Sequence, residues 1–107
     1  AFAEARFPSA LDAGKAASEI LTSGIALSSC EILDKVTIDV VNKAMGLNIP
    51  DDIGCLLFIE IDGNKKAVQE NIERINKICK ANNGIENKWE DDPAKRLKMW
   101  AARQGDQ

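Results

Sequence analysis

Arg96, Trp100 and Arg103 stand four and three residues apart near the end of the chain, a spacing that puts all three on one stripe of a helix. Arginine carries a planar fork of donors that matches a carboxylate two bonds at a time, so this stripe is the best candidate for contact with an acidic ligand. Taken alone, the same pattern describes a solvated helix face, as does the Lys95-Arg96-Leu97-Lys98 run inside it. Two carboxylate pairs are the other groups with chemistry to offer. Glu60 and Asp62 lie two apart in an extended stretch and therefore share a face, an arrangement that serves acid–base work or metal binding. A solvated strand end leading into a helix N-terminus uses the same residues without any chemistry, because acidic charge is favoured there. Glu31 and Asp34 form the second pair. Asp34 suits a helix cap, whereas Glu31, in an apolar stretch, must be paired or face an opening.

Composition narrows the chemistry further. The chain has no histidine, which removes the commonest general base, the usual partner of a nucleophile and the best imidazole metal ligand. Cys30, Cys55 and Cys79 stand singly in apolar or helical surroundings. An odd count without paired spacing points to reduced, buried thiols in a cytoplasmic protein and to no zinc site. We therefore assign no metal ligand and no catalytic residue from composition. A net charge of −3 and a pI near 4.9 disfavour a nucleic-acid surface, which needs a basic stripe. No stretch reaches the roughly 18 apolar residues of a membrane span, and no signal-peptide pattern opens the chain.

The element that must position these groups is the run Cys55-Leu56-Leu57-Phe58-Ile59-Glu60-Ile61-Asp62-Gly63. Its apolar first part reads as a strand buried on both sides, and Asp62-Gly63 stops it. From about Asn64 to Ala81 the period changes to helical, with Val68, Ile72, Ile75, Ile78 and Cys79 on one face. Ala3 to Phe7 reads as a first strand, followed by a helix from Ala10 to Thr22 whose start carries Ser9 and Asp12 at capping-box spacing. Ile25 to Leu33 reads as a second strand. Asp34 then caps a helix whose stripe is Val36, Val40, Val41, Ala44 and Met45, ending at Gly46, with a strand as the alternative because Val and Thr are weak helix formers. Ile85 to Trp89 reads as a fourth strand, and a last helix follows from Asp91 or Asp92, anchored by Leu97 and Trp100.

The 107 residues make one domain's worth of chain, with 45% apolar and 29% charged residues, as in ordinary globular proteins. Setting aside the second helix, the order is βαββαβ, the ferredoxin-like plan with strands one and three central. The expected fold is thus α+β, a ferredoxin-like antiparallel sheet with an extra C-terminal helix, and a doubly wound parallel sheet is the alternative. Because the chain opens at Ala1 rather than Met and stops in mid-pattern at Gln107, we expect an excised piece of a larger protein.

Four phrases in order carry a resemblance. They are Phe7-Pro8-Ser9 with Asp12-Ala13-Gly14-Lys15-Ala16, Cys30-Glu31-Ile32-Leu33-Asp34, Phe58-Ile59-Glu60-Ile61-Asp62-Gly63 with Val68, and Lys98-Met99-Trp100-Ala101-Ala102-Arg103. The chain resembles the C-terminal, substrate-side domain of FAD-linked oxidases, the group that includes glycolate oxidase, D-lactate dehydrogenase and D-2-hydroxyglutarate dehydrogenase. The resemblance implies a cap domain above the flavin in an enzyme that oxidises a small D-2-hydroxy acid. It implies that Arg103, the arginine of the Trp-x-x-Arg phrase, binds the substrate carboxylate and that Trp100 helps to position it. It further implies that FAD is bound mainly by a separate FAD-binding domain of the same parent chain, the family's histidine-bearing motifs lying downstream. The fragment alone is then expected to be inert and to hold no cofactor. The alternative from another class is a free-standing ferredoxin-like ligand-binding or regulatory module.

Overall fold

Alternation in Phe2-Ala3-Glu4-Ala5-Arg6-Phe7 makes two different faces from one strand, and the rest of the fold follows from covering them. The computed structural model describes residues 1–46 and 49–91 of the chain. The elements run β1 (Phe2–Phe7), α1 (Ala10–Thr22), β2 (Leu27–Asp34), α2 (Lys35–Met45), β3 (Cys55–Ile61), α3 (Lys65–Ala81) and β4 (Glu86–Glu90). The strands form one sheet in the order β2-β3-β1-β4, and every neighbouring pair is antiparallel. β3 is therefore internal, as its unbroken apolar run requires, and the parallel alternative is ruled out. The helix expected after Asp91 or Asp92 lies outside the described residues.

Ala3, Ala5 and Phe7 of β1 and Cys55, Leu57, Ile59 and Ile61 of β3 meet α1 and α3 in one core. Ala13, Ala16, Ala17 and Ile20 of α1 and Ile75 and Cys79 of α3 complete it. The small α1 alanines let that helix sit close on the sheet. Polar contacts then clamp the two helices together: Arg74 Nη2 donates to Ser23 O at 2.8 Å, and Asn83 Nδ2 donates to Asp12 Oδ1 at 3.1 Å. Asn76 Oδ1 accepts from both Asn87 Nδ2 and Trp89 Nε1 at 2.8 Å, tying α3 to β4.

Helix ends follow the chemistry of their caps. Ser9 Oγ accepts from Asp12 N at 3.2 Å, but the Asp12 carboxylate reaches back to the Ser9 hydroxyl at 2.9 Å rather than to a backbone amide. Aspartate is one methylene shorter than the glutamate of a full capping box. Asp34 Oδ1 and Asn64 Oδ1 accept from Thr37 N and Ala67 N at 2.9 and 2.8 Å. Gly46 closes α2 in the left-handed region at φ +62°, where a side chain is disfavoured.

The stripe expected on α2 is corrected by the structure. Ile38 and Val41 are buried, each 1% exposed, while Val36 and Val40 are 73% and 50% exposed and Ala44 is exposed. Ile38 instead packs with Leu33, Leu56, Phe58 and Phe2 on the sheet face opposite α1 and α3. Apolar residues cover more than half of this helix's circumference, so its period alone did not select which of them face the sheet. Strand limits move too: β2 begins at Leu27 rather than Ile25 and runs on to Asp34, with an irregularity between Leu27 and Ser29.

Candidate functional site

The charged residues of β1 lie on the α2 side of the sheet, at the centre of the fold. Register places three rows across that face: Leu33, Leu56, Arg6 and Glu86; Glu31, Phe58, Glu4 and Lys88; and Ser29, Glu60, Phe2 and Glu90. The β2–β3 half carries Leu33, Leu56 and Phe58 and lies under α2, while across β1 and β4 Arg6 stands opposite Glu86 and Glu4 opposite Lys88. Phe2 and Phe58 stack with ring centroids 5.8 Å apart, and Phe58 stands opposite Glu4 in the register.

Within this face Arg6 Nε donates to Glu4 Oε1 at 2.7 Å, with the two side chains 14% and 10% exposed. Glu4 is the charged residue that the described core encloses. Burying two charges costs more than burying two apolar groups, and the cost is met only where they pair and hydrogen-bond. The contact is side-on through Nε, so the two-point grip of the guanidinium end is not spent on Glu4. Sequence reasoning passed over both residues, attending to carboxylates two apart and to the terminal arginines. The signal was a glutamate and an arginine two apart in a strand otherwise made of alanine and phenylalanine.

The predicted residues fare differently. Arg96, Trp100 and Arg103 lie outside the described residues. Glu60 sits in register with Phe2 inside β3, but Asp62 falls one residue beyond the strand and accepts a hydrogen bond from Ser28 Oγ. Ser28 is the extra residue at the β2 irregularity, so Asp62 serves to close that end of the sheet. Asp34 is the α2 cap, and its carboxyl is held below the ordinary range by the Thr37 amide it accepts from. Glu31 stands opposite Phe58 across the β2–β3 pair and is half-buried, whereas Asp34 stands opposite Cys55, so the two do not share a face. Burial pushes the Cys30, Cys55 and Cys79 thiols up, away from the thiolate that a nucleophile needs. Among the described residues no group of three or more Cys, Asp or Glu is placed to hold a metal ion.

Two of the chain's glycines are taken up by close approaches within the fold. A Cβ at Gly54 would stand 2.1 Å from Pro8 O, and one at Gly84 would stand 2.6 Å from Cys79 O. Both close approaches are thus filled by this chain's own backbone, as the Gly54 N to Phe7 O bond of 2.9 Å and the Gly84 N to Cys79 O bond of 2.7 Å show. No helix among the described residues is long and apolar enough to cross a membrane.

Comparison with known proteins adds the context that the geometry lacks. A model of the family "FAD linked oxidases, C-terminal domain" matches residues 1–106. The glycolate oxidase subunit GlcD of Escherichia coli K12 is 31% identical over 99 residues, covering 92% of this chain and 20% of that protein. A probable mitochondrial D-lactate dehydrogenase of Danio rerio is 30% identical over 97 residues, covering 91% and 19%. The mitochondrial D-lactate dehydrogenase (cytochrome) of Arabidopsis thaliana is 29% identical over 97 residues, covering 91% and 17%. The chain spans about a fifth of the length of the curated relatives it matches.

Proposed function

The chain belongs to the C-terminal domain family of FAD-linked oxidases, and on that basis we propose that it is the substrate-side part of a flavin-dependent enzyme oxidising a small D-2-hydroxy acid. The observation that carries this reading is the family match across residues 1–106, which includes the Trp100-x-x-Arg103 phrase. Two relatives named for glycolate and D-lactate oxidation, each near 30% identity, support the 2-hydroxy acid as substrate class. Strand order β2-β3-β1-β4 with antiparallel neighbours supports the ferredoxin-like plan, with residues 1–107 as a single unit.

In this reading FAD belongs to the parent enzyme and is bound mainly by another domain of the same chain, as membership of a C-terminal domain family of FAD-linked oxidases supports. FAD supplies the oxidising chemistry when bound. This domain's share is to hold the substrate: Arg103 grips the carboxylate by a two-point, charge-assisted contact, and Trp100 fixes the arginine. Closing the two domains over that contact excludes water and strengthens it. Three single thiols, raised by burial, support a reducing compartment such as the cytoplasm.

Steady-state kinetics of the full-length protein test the assignment. Arg103→Ala lowers kcat/KM for the 2-hydroxy acid by roughly 30- to 1,000-fold, the range for truncating one partner of a desolvated charge pair. Arg103→Lys recovers only part of it, because an ammonium does not reproduce the fork. Unchanged kinetics in Arg103→Ala would remove Arg103 from the substrate site.

A further inference from the structure

We propose that the open edge of β4 pairs with the β4 edge of a second copy of this chain, about a two-fold axis at Asn87, with α3 beside its counterpart across the same axis. The inference concerns assembly and does not rest on the substrate. It begins with the direction of backbone groups. Ala1 N donates to Ile61 O at 2.9 Å and Ile61 N donates to Ala1 O at 3.0 Å, so the odd-numbered residues of β1 turn their backbone groups toward β3. The even-numbered ones, Phe2, Glu4 and Arg6, turn theirs toward β4, as the 2.7 Å bond from Ile85 N to Arg6 O shows. Their register partners Glu90, Lys88 and Glu86 face back toward β1. That directs the N–H and C=O groups of Asn87 and Trp89 out of the sheet, at an edge that no other described strand covers.

Such an edge is a template for a further strand, and like charges commonly close it to copies of itself. β4 carries alternating charges instead. With Asn87 opposite Asn87 of the second copy, antiparallel pairing sets Glu86 opposite Lys88 and Lys88 opposite Glu86. Ile85, 49% exposed, comes beside Trp89 of the second copy. Moving the axis one residue either way sets Glu86 on Glu86 or Lys88 on Lys88. Charge therefore admits this register and rejects its neighbours. Glu86 and Lys88 are both exposed, and neither makes an ion pair among the described residues.

The pattern repeats on α3. Asn76 accepts from the Asn87 and Trp89 side chains at 2.8 Å, which puts this point of the helix next to the axis. Glu73 and Lys80 lie three residues before it and four after it, on one side of the helix. A two-fold operation here brings Glu73 of each copy toward Lys80 of the other. Both side chains are exposed and form no ion pair among the described residues. A groove of about 320 Å³ lined by Asn76, Lys80, Ile85 and Asn87 runs along this edge and leaves room for the second copy's side chains.

Sedimentation equilibrium of the full-length protein tests the interface. Expected is a dimer that weakens as salt is added, since exposed charge pairs hold its register. Glu73→Lys and Lys80→Glu each raise the dissociation constant roughly 10- to 100-fold, and the double variant, which reverses both ends of the pair, recovers the wild-type value. Asn87→Pro removes an N–H that points away from β1, so the chain still folds and the dimer is lost. Should Asn87→Pro not fold, the two charge variants, at exposed sites, carry the decision. A full-length protein that stays monomeric at every concentration overturns the proposal and leaves the edge to the rest of the parent chain. A dimer indifferent to Asn87→Pro, or one that the double charge variant does not restore, overturns it equally by moving the interface elsewhere.

Discussion

Asp12 and Asp34 show how much of this molecule is decided by single side chains at helix starts. The Asp12 carboxyl is held below the ordinary carboxylate range first by the hydrogen bond from Asn83 and then by that from Ser9, and Asp34 by the Thr37 amide. A folded-state value below the unfolded one means stability that is present above the unfolded value and is lost as pH falls through the folded one. We predict that the urea midpoint of the chain drops between about pH 7 and about pH 3, and that Asp34→Asn, which keeps an acceptor at the cap, flattens part of that slope. Asp34→Ala lowers the midpoint at neutral pH as well. A pH profile identical in wild type and Asp34→Asn would show that the carboxylate is not linked to folding. Caps of this kind were legible from residue type and spacing alone, because their partners are three residues away. Glu4 and Arg6 were not, because their meaning depends on β1 being an inner strand, which only the pairing with β3 and β4 establishes.

Among the helices, the same contrast separates α3 from α2. The face of α3 formed by Val68, Ile72, Ile75 and Ile78 was readable because Lys, Glu and Asn fill the other side, and Ile75 is indeed fully buried against α1 and the sheet. Ile75→Ala should cost about 2–5 kcal/mol, as truncations in packed cores do. In α2, apolar residues occupy too many directions for the period to choose between them. What chose was tertiary: Leu33, Leu56 and Phe58 offered an apolar patch, and Ile38 packed against it, with Val41 buried as well. Val36→Ala is accordingly expected to stay within about 0.5 kcal/mol of wild type, while Ile38→Ala falls in the core range of about 2–5 kcal/mol. Chemical denaturation of the three variants checks both statements, and a costly Val36→Ala would mean that the helix phase is wrong.

For the molecule as a whole, the question is which part of an enzyme this fold represents. Its sheet order and the position of β3 follow from an apolar run too long for an edge, whereas its place in a family of FAD-linked oxidases comes from kinship. Gly54 holds the start of β3 against Pro8, and Gly84 holds the turn before β4 against Cys79. Glycines committed in this way cannot serve a pyrophosphate, whose binding needs a backbone turn left open toward the ligand. The acidic balance of the chain, −3 overall, works in the same direction by raising the cost of bringing phosphates close. We therefore predict that the 107-residue chain, expressed alone, binds no FAD and oxidises no 2-hydroxy acid. The check is direct: purify the chain in the presence of excess FAD, dialyse, and record the flavin absorbance band together with activity toward D-lactate and glycolate. A colourless, inactive protein with cooperative thermal unfolding is the expected result. Retention of a stoichiometric flavin band after dialysis would place cofactor-binding residues within this chain and reverse the division of labour between the two domains.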